Sequence, residues 1–377
     1  MHQSSKRQQS VQKARRAVCG GVVLLLLLQL AGLFVIEFRR PDLADPEFGL
    51  RLRSFQRRSA ESPDRPMLAI VGSSRASCGI DTEAMSRPLA EGGLAISAAN
   101  LSLAGGTSLW QHLIVRRLSH FTPTPQRVVL ELFPASFLGG DNEYFSETYQ
   151  FPTHRQRYCD LAVLDELLPE QSARHRSQWW WNNGFLPLRT HGTALWNSLL
   201  PLFKTDDLFL DTRAWKRRLT PTGQAPWDVP HPTADQRVKA WSVAENEYAK
   251  LLREGQVDRR SCEVYRRTLA WCQTHGIEVA ALVMMPESPR FRGWYSEANW
   301  NATSRIAEEL AEDFSVRLID AREWVPDEDS FADGHHLLPE AARQFTIRLG
   351  MLVEPGNSPP SDDTLQSANK AELHGAR

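Results

Sequence analysis

The 377-residue sequence lacks the features on which several binding and redox classes depend. Its five cysteines are scattered and form no C-x-x-C pair, which argues against a zinc or dithiol site. It has no glycine-rich phosphate loop, so a nucleotide-binding domain is excluded. Lys and Arg number 44 against 45 Asp and Glu, which leaves no basic field to attract nucleic acid. We therefore expect no cofactor and no nucleic-acid partner.

One long apolar segment is present near the amino terminus. Residues 17–36 carry no charge, and twenty such residues match a hydrocarbon core of about 30 Å. A basic leader precedes them, as in a cleaved signal peptide, but residues 30–34 form a poor small-residue cleavage site. We predict an uncleaved transmembrane helix at 17–38, a cytoplasmic basic tail at 1–16 and an extracytoplasmic main domain. Basic residues also follow the segment, which leaves the opposite orientation open.

The rest of the chain alternates strand and helix patterns. Residues 39–65 are rich in Arg, Asp, Glu and Pro with little periodicity, which is typical of a juxtamembrane stalk. Apolar runs predict five strands, at Met67 to Val71, Leu94 to Ala98, Arg127 to Leu132, Glu278 to Met284 and Val316 to Ile319. Helical patterns occupy Leu109 to Leu118, Cys262 to His275 and Pro339 to Leu352. The alternation predicts an α/β fold in residues 66–353, a flavodoxin-like doubly wound sheet of about five parallel strands.

A large insertion separates the third and fourth predicted strands. About 145 residues lie between them, far more than a crossover needs, so we expect an inserted helical subdomain at about 137–260. The insertion is rich in tryptophan, at positions 179–181, 196, 215, 227 and 241. These side chains fit either the small core of the subdomain or an aromatic lid over an active cleft. The tail at 354–377 lacks aromatic residues and is expected to be disordered.

A serine turn directly follows the first predicted strand. In Gly72-Ser73-Ser74-Arg75, the second serine would project from the carboxyl end of the sheet at the start of a helix. Negative charge that develops there is favoured by the helix N-terminus, which suits a nucleophile. The turn is not the G-x-S-x-G elbow of the α/β-hydrolases, and a Gly-Ser-Ser turn can also be only a turn.

A base and its orienting group occur together near the end of the domain. Asp333 lies three residues before His336, so its carboxylate can orient the imidazole while the other ring nitrogen takes a proton from a serine. The alternative is a surface loop whose histidine pair caps a helix. His335 beside His336 suggests a metal pair, but neighbouring residues on an extended loop point to opposite sides, and we predict no metal site.

Together these segments resemble the SGNH (GDSL-like) hydrolases in order and spacing. That family carries its serine after strand one and an Asp-x-x-His before the final helix, as Ser74, Asp333 and His336 stand here. The run from Asn100 to Gly105 resembles the family's second block. The resemblance covers roughly residues 67–135 and 278–350. It implies that Ser74, Asp333 and His336 form a catalytic triad and that the Ser74 and Gly105 amides bind the oxyanion.

One block departs from the family pattern. Residues 131–136, Glu-Leu-Phe-Pro-Ala-Ser, stand where the family has Gly-x-Asn-Asp, so the third oxyanion donor is missing. Ser136, Asn142 or an amide of the insertion are the candidates to replace it. Three further side chains are candidate substrate contacts, namely Arg75, Asn100 and Glu287.

The resemblance implies a membrane-anchored serine acyl hydrolase or O-acyltransferase that acts on an ester. Similar departures occur among membrane-anchored, cell-envelope SGNH-like proteins that assist or perform O-acylation of polysaccharides. The expected substrate is therefore an acyl ester of an envelope polysaccharide, and an expected partner is a membrane-bound O-acyltransferase. The alternative is a non-catalytic SGNH-like scaffold or carbohydrate-binding protein of the envelope.

Overall fold

The computed structural model describes residues 2–35, 41–43, 45–91, 93, 96–120, 124–139 and 212–353, with the isolated residues 173, 177 and 181. The chain divides into two compact units, one made of residues 1–49 and 153–215 and the other of residues 50–152 and 216–377. Most of the predicted insertion (140–211), with Asn142 and several of its tryptophans, lies outside the described residues. The tail predicted at 354–377 also lies outside them.

The first helix, α1, spans His2–Phe34 and includes most of the basic tail predicted at 1–16. Within its segment Val11–Phe34, an 18-residue window has a mean hydropathy of 2.4, and among the described residues this is the one helix long and apolar enough to cross a membrane. The leucines at 24–28 are 49 to 58 % exposed, so the protein itself does not cover this apolar surface. A helix with these properties is suited to a hydrocarbon environment.

The remaining described elements alternate between helices and strands. The strands are β1 (Met67–Val71), β2 (Ser97–Asn100), β3 (Arg127–Glu131), β4 (Leu138–Gly139), β5 (Gln256–Val257), β6 (Glu278–Met284) and β7 (Leu318–Asp320). The helices are α2 (Pro46–Glu61), α3 (Ser74–Gly79), α4 (Thr82–Glu91), α5 (Ser108–Leu118), α6 (Thr212–Arg218), α7 (Ala234–Glu254), α8 (Arg259–Thr274), α9 (Pro289–Arg292), α10 (Glu297–Asp313) and α11 (Pro339–Leu352). Short 3-10 turns occupy Pro41–Leu43, Pro134–Phe137 and Glu328–Ser330.

Five of these strands form one parallel sheet. Its order is β2-β1-β3-β6-β7, and every neighbouring pair runs parallel. The central strands end at nearly the same level, since Val71, the last residue of β1, pairs with Leu130, and Glu131, the last residue of β3, pairs with Val283. The loops that follow these strands therefore start from one edge of the sheet, where open α/β folds hold their ligands. Strands β4 and β5 form a separate antiparallel pair.

The core explains why β1 is a continuous apolar run and why β3 has three apolar residues in a row at 128–130. All five residues of each strand are buried, whichever face they point to, so both faces of the sheet are covered at its centre. Helix α11 contacts α3 and α4, and helix α8 contacts α5. In the first of these groups, Met85 of α4 and Phe345 of α11 pack in one cluster with Leu68 and Ile70 of β1.

The segment predicted as a stalk is instead largely helical. Residues 46–61 form α2, and Arg51 on this helix is only 1 % exposed. The guanidinium of Arg51 donates to the carbonyl oxygen of Gly223 and to the Ser77 hydroxyl, the latter at 2.6 Å. A charge-rich segment can thus pack into the domain when its buried guanidinium finds acceptors in other segments.

The central strand β6 gives a test of the core. Replacing Val283, which is fully buried, by alanine removes two methyl groups and leaves a cavity, so we expect the free energy of unfolding to fall by about 2 kcal/mol. The matched control is Val238→Ala on α7, where the side chain is 69 % exposed and the change should stay within about 0.5 kcal/mol. Chemical denaturation of both variants measures the difference, and equal effects would contradict the assigned core.

Candidate active site

Ser74 is placed by the sharp turn that follows β1. The strand ends at Val71, Gly72 and Ser73 turn the chain, and Ser74 is the first residue of the short helix α3. Ser73 caps this helix, since its hydroxyl oxygen accepts a hydrogen bond from the Arg75 amide at 3.1 Å. The Ser74 side chain therefore projects from the carboxyl edge of the sheet, where the sequence predicts it.

Two segments far apart in the chain meet at this edge. The Oγ atom of Ser74 lies 2.8 Å from Nε2 of His336, and Nδ1 of the same ring lies 2.7 Å from Oδ2 of Asp333. The other carboxylate oxygen of Asp333 accepts the backbone N–H of His336 at 3.0 Å, which folds the loop so that carboxylate and imidazole face each other. These distances are those of a nucleophile, a base and the group that orients the base.

The carboxylate of Asp333 remains ionised in this setting. Burial favours its protonated form, but attraction to His335 and His336 and the hydrogen bonds from His336 outweigh that effect and lower its pKa. Burial also lowers the pKa of His335, to about 3, although attraction to Asp333 opposes the shift. At neutral pH the loop thus presents one carboxylate and a neutral second imidazole.

A carboxylate that the sequence reading did not assign holds the serine turn. The Oε2 atom of Glu131, at the end of β3, accepts the Ser73 amide at 2.6 Å, and its Oε1 accepts the Ser73 hydroxyl at 3.0 Å. A side chain at position 72 would come within 2.7 Å of the Ala76 Cβ, so glycine is needed there for space. Glu131 therefore fixes the backbone immediately before Ser74. The sequence feature that points to this role of Glu131 is an acidic residue directly after the apolar run 128–130.

The predicted oxyanion segment packs directly on the serine turn. The Leu103 amide donates to the Gly72 carbonyl at 3.0 Å, and a Cβ at Gly106 would lie 2.6 Å from the same oxygen. Gly105 has φ +65°, a backbone conformation that glycine adopts without strain. Within the described ranges, neither the Ser74 nor the Gly105 amide donates a hydrogen bond, so both amides are available to an anionic oxygen.

The structure gives Asn100 a different place from the one predicted. Its side chain is fully buried, and its amide donates to the carbonyl oxygens of Ala76 and Ile80, both at 2.9 Å. Its Oδ1 atom accepts the Ser102 amide at 3.0 Å. Every polar atom of this amide is thus used to hold α3 against the second segment. Asn100 therefore holds α3 in place, and no polar atom of its side chain remains unbonded.

Arg75 and Glu287 form a buried pair beside the serine. Their charged groups lie 3.3 Å apart, and Arg75 also donates to the carbonyl oxygens of Met285 and Pro286. Burial raises the pKa of Glu287, although Arg75 and Arg322 oppose this. Arg75 lines the cleft described below, whereas Glu287 does not, so the substrate contact predicted for Glu287 is replaced by a structural role.

Ser74 lies at the wall of an open cleft. The serine turn and the glycine segment at 105–108 form part of its wall, and Phe133, Leu138 and Tyr248 form an apolar part. Ser136 and His335 also line it. A cleft with one apolar wall and several hydroxyl groups suits a small amphiphilic ligand.

Two tryptophans of the insertion contact the histidine loop. The ring of Trp227 lies 5.2 Å from that of His336, centroid to centroid, at an interplanar angle of 32°. A Cβ at Gly334 would come within 2.5 Å of the Trp241 ring, so glycine is needed between Asp333 and His335 for this packing. Trp241 is buried in a local core, and Trp227 lies against the imidazole. Neither ring lines the cleft, so the aromatic lid stays a prediction.

The segment that carries Trp227 is bound to the nucleophile helix. The Ala225 amide donates to the Ser77 carbonyl at 3.0 Å, and the Gln224 side chain donates to the Cys78 carbonyl at 3.0 Å. Arg51 of α2 donates to the Gly223 carbonyl from the other side. The end of the insertion is therefore fixed to α3, the helix that begins with Ser74.

The same loop offers a set of possible metal ligands. One ligand atom each from Asp333, His335 and His336 lies within 4.8 Å of the others. Both ring nitrogens of His336 are engaged, however, with Asp333 and Ser74. A metal bound through His336 would have to displace one of these hydrogen bonds, so the geometry favours proton transfer over metal binding.

Comparison with known proteins gives little further guidance. No curated protein matches the chain. The model of one protein family, whose members are uncharacterised, matches residues 237–354. That range contains Asp333 and His336 but neither Ser74 nor Gly105. The match covers less than half of the chain, so it does not show the family of the whole chain.

The contact between the two glycine-containing segments can be tested through stability. An alanine at position 106 would place its Cβ 2.6 Å and 2.9 Å from two carbonyl oxygens, so one backbone segment must move. We expect Gly106→Ala to lower the free energy of unfolding by about 1–3 kcal/mol, as overpacking does. Gly139→Ala is the matched control, because its Cβ would meet its nearest neighbour at 3.5 Å. Thermal denaturation that ranks the two variants equally would contradict the contact.

Proposed function

We propose that the protein is a membrane-anchored serine acyl hydrolase or O-acyltransferase of the SGNH (GDSL-like) type. The observation that carries the proposal is the chain of two hydrogen bonds from Ser74 through His336 to Asp333, at 2.8 and 2.7 Å. Three residue types with these contacts at the carboxyl edge of a parallel sheet suit nucleophilic acyl transfer.

The proposed reaction has two halves. His336 Nε2 takes the proton of the Ser74 hydroxyl, and Oγ attacks the acyl carbonyl to form a tetrahedral oxyanion held by the Ser74 and Gly105 amides. The intermediate collapses as His336 returns the proton to the leaving alcohol, which leaves an acyl group on Ser74. Water or a sugar hydroxyl, deprotonated by the same imidazole, then takes the acyl group. Asp333 stabilises the imidazolium in both halves.

The strand order of the sheet supports a flavodoxin-like, doubly wound topology. Its order, with the second strand at the edge and the first beside it, follows the flavodoxin-like 2-1-3-4-5 pattern. We infer a doubly wound SGNH-like domain from this order, from Ser74 after strand one and from the Asp-x-x-His before α11. An uninterrupted apolar helix before this domain supports an anchor, and we infer an extracytoplasmic domain that meets an envelope polysaccharide and a membrane-bound O-acyltransferase.

The altered third block limits the expected rate. The Ser136 hydroxyl lines the cleft but donates to the Phe133 carbonyl at 2.7 Å, so its proton is already engaged. With two amide donors, the transition state lacks a contribution of roughly 2.7–4 kcal/mol, the effect of removing one such donor from a protease. This departure is the specific observation that favours the alternative, a non-catalytic scaffold or carbohydrate-binding protein of the envelope.

Active-site labelling distinguishes the enzyme from the scaffold. A fluorophosphonate should phosphonylate Ser74 of the purified full-length protein in detergent, with fluoride as the leaving group. Ser74→Ala should abolish labelling, and His336→Ala should slow it by about 10³-fold or more, because the serine loses its base. Ser86→Ala is the control, since the Ser86 hydroxyl bonds within α4 to the Thr82 carbonyl. A folded protein that shows no labelling at Ser74 would contradict the proposed enzyme activity and favour the non-catalytic scaffold.

Chelation separates proton transfer from metal chemistry at the same loop. Because both ring nitrogens of His336 are used by Asp333 and Ser74, prolonged treatment with EDTA should leave the labelling rate unchanged. Loss of labelling that added zinc restores would assign His335 and His336 to a metal instead.

A further inference from the structure

A second imidazole faces the cleft beside the triad. His335 lies between Gly334 and His336, is only 5 % exposed, and lines the same cleft as Ser74. The proposed acyl transfer assigns it no role. Burial of an imidazole without a hydrogen-bond partner is unfavourable, so a histidine at a cleft wall is better accommodated when a ligand supplies that partner.

Aromatic neighbours fix the plane of this ring. The His335 ring centroid lies 5.0 Å from that of Tyr248, 5.1 Å from that of Phe291 and 4.2 Å from that of His336. Tyr248 and Phe291 belong to helices α7 and α9, and His336 is the next residue of the same loop, so these contacts leave the ring little freedom to rotate. Its nitrogens therefore keep fixed directions relative to the Ser74 hydroxyl, which suits a group that orients a ligand.

One of its nitrogens remains available to a ligand. Nδ1 is enclosed and lies 3.4 Å from Oδ1 of Asp333, a carboxylate that favours a proton on this atom. No group in the described part of the chain forms a hydrogen bond with Nε2. Since the ring lines the cleft and is neutral, Nε2 presents a lone pair, which is a hydrogen-bond acceptor without charge.

We propose, resting on the acyl-transfer function above, that His335 is a specificity-determining residue that accepts a hydrogen bond from a hydroxyl group next to the scissile ester. The preferred substrate is then an ester of a polyhydroxylated alcohol, in which a free hydroxyl lies near the acylated one. The apolar wall of Phe133, Leu138 and Tyr248 remains for the acyl chain or the carbon skeleton.

Two matched esters test this assignment on the full-length protein in detergent. Glycerol 1-acetate and propyl acetate share the acyl group and the three-carbon alcohol, and only the former carries free hydroxyls. The wild type should favour glycerol 1-acetate in kcat/KM. His335→Phe keeps an aromatic ring against Tyr248 and Phe291 but has no acceptor, so the ratio of the two kcat/KM values should fall about tenfold, the effect of one lost hydrogen bond. His335→Gln, whose Oε1 replaces Nε2, should retain most of the preference.

The outcomes separate this inference from the function on which it rests. If Ser74 is not labelled, both the proposed acyl transfer and the role of His335 are contradicted. With labelling intact, a wild type that hydrolyses neither ester or does not prefer the hydroxylated one overturns the role of His335. An unchanged ratio in His335→Phe overturns it as well, since a purely structural histidine would alter both esters alike. A lowered ratio that His335→Gln restores supports a hydrogen bond through Nε2.

Discussion

The hydrogen bond between Ser74 and His336 is the contact on which the site depends. It joins two loops that are 262 positions apart, so it exists only if β1 and the end of the sheet are held in a fixed arrangement. The parallel register supplies that arrangement, because Val71 ends β1 beside Leu130 and Glu131 ends β3 beside Val283. A shift of one residue in any central strand would move a loop by about 3.3 Å, more than a hydrogen bond allows.

Much of the fold follows from local sequence. Strands β1 and β6 have the predicted bounds because continuous apolar runs between turns leave few alternatives, and α11 begins at its proline as predicted. The strand predicted at Leu94 to Ala98 lies instead at Ser97–Asn100, since small residues carry little strand propensity and pairing with β1 decides the position. The stalk prediction was wrong for α2 because the buried state of Arg51 depends on acceptors from distant segments.

The site, like the fold, has some parts that the sequence predicts and others that it does not. Chain order and turn chemistry predict that Ser74, Asp333 and His336 lie at one edge of the sheet, and the resemblance to the SGNH hydrolases implies their pairing as a triad. The supporting contacts depend on tertiary packing and could not be read from spacing. Glu131 holds the serine turn from a neighbouring strand, whereas the sequence showed it only as part of the block that lacks an oxyanion donor. Asn100 uses its whole side-chain amide inside the fold, whereas the sequence suggested a substrate contact.

The buried guanidinium of Arg51 also determines where the α/β domain begins. Although the apolar core pattern starts only after Pro66, Arg51 provides donors for the carbonyl oxygens of Gly223 and Asn100 and for the Ser77 hydroxyl. Expression of the domain from residue 66 onward would remove these donors, and the segment that carries Trp227 would lose its hydrogen bond from Arg51. A soluble form that omits α1 should therefore retain the whole of α2 and start before Pro46.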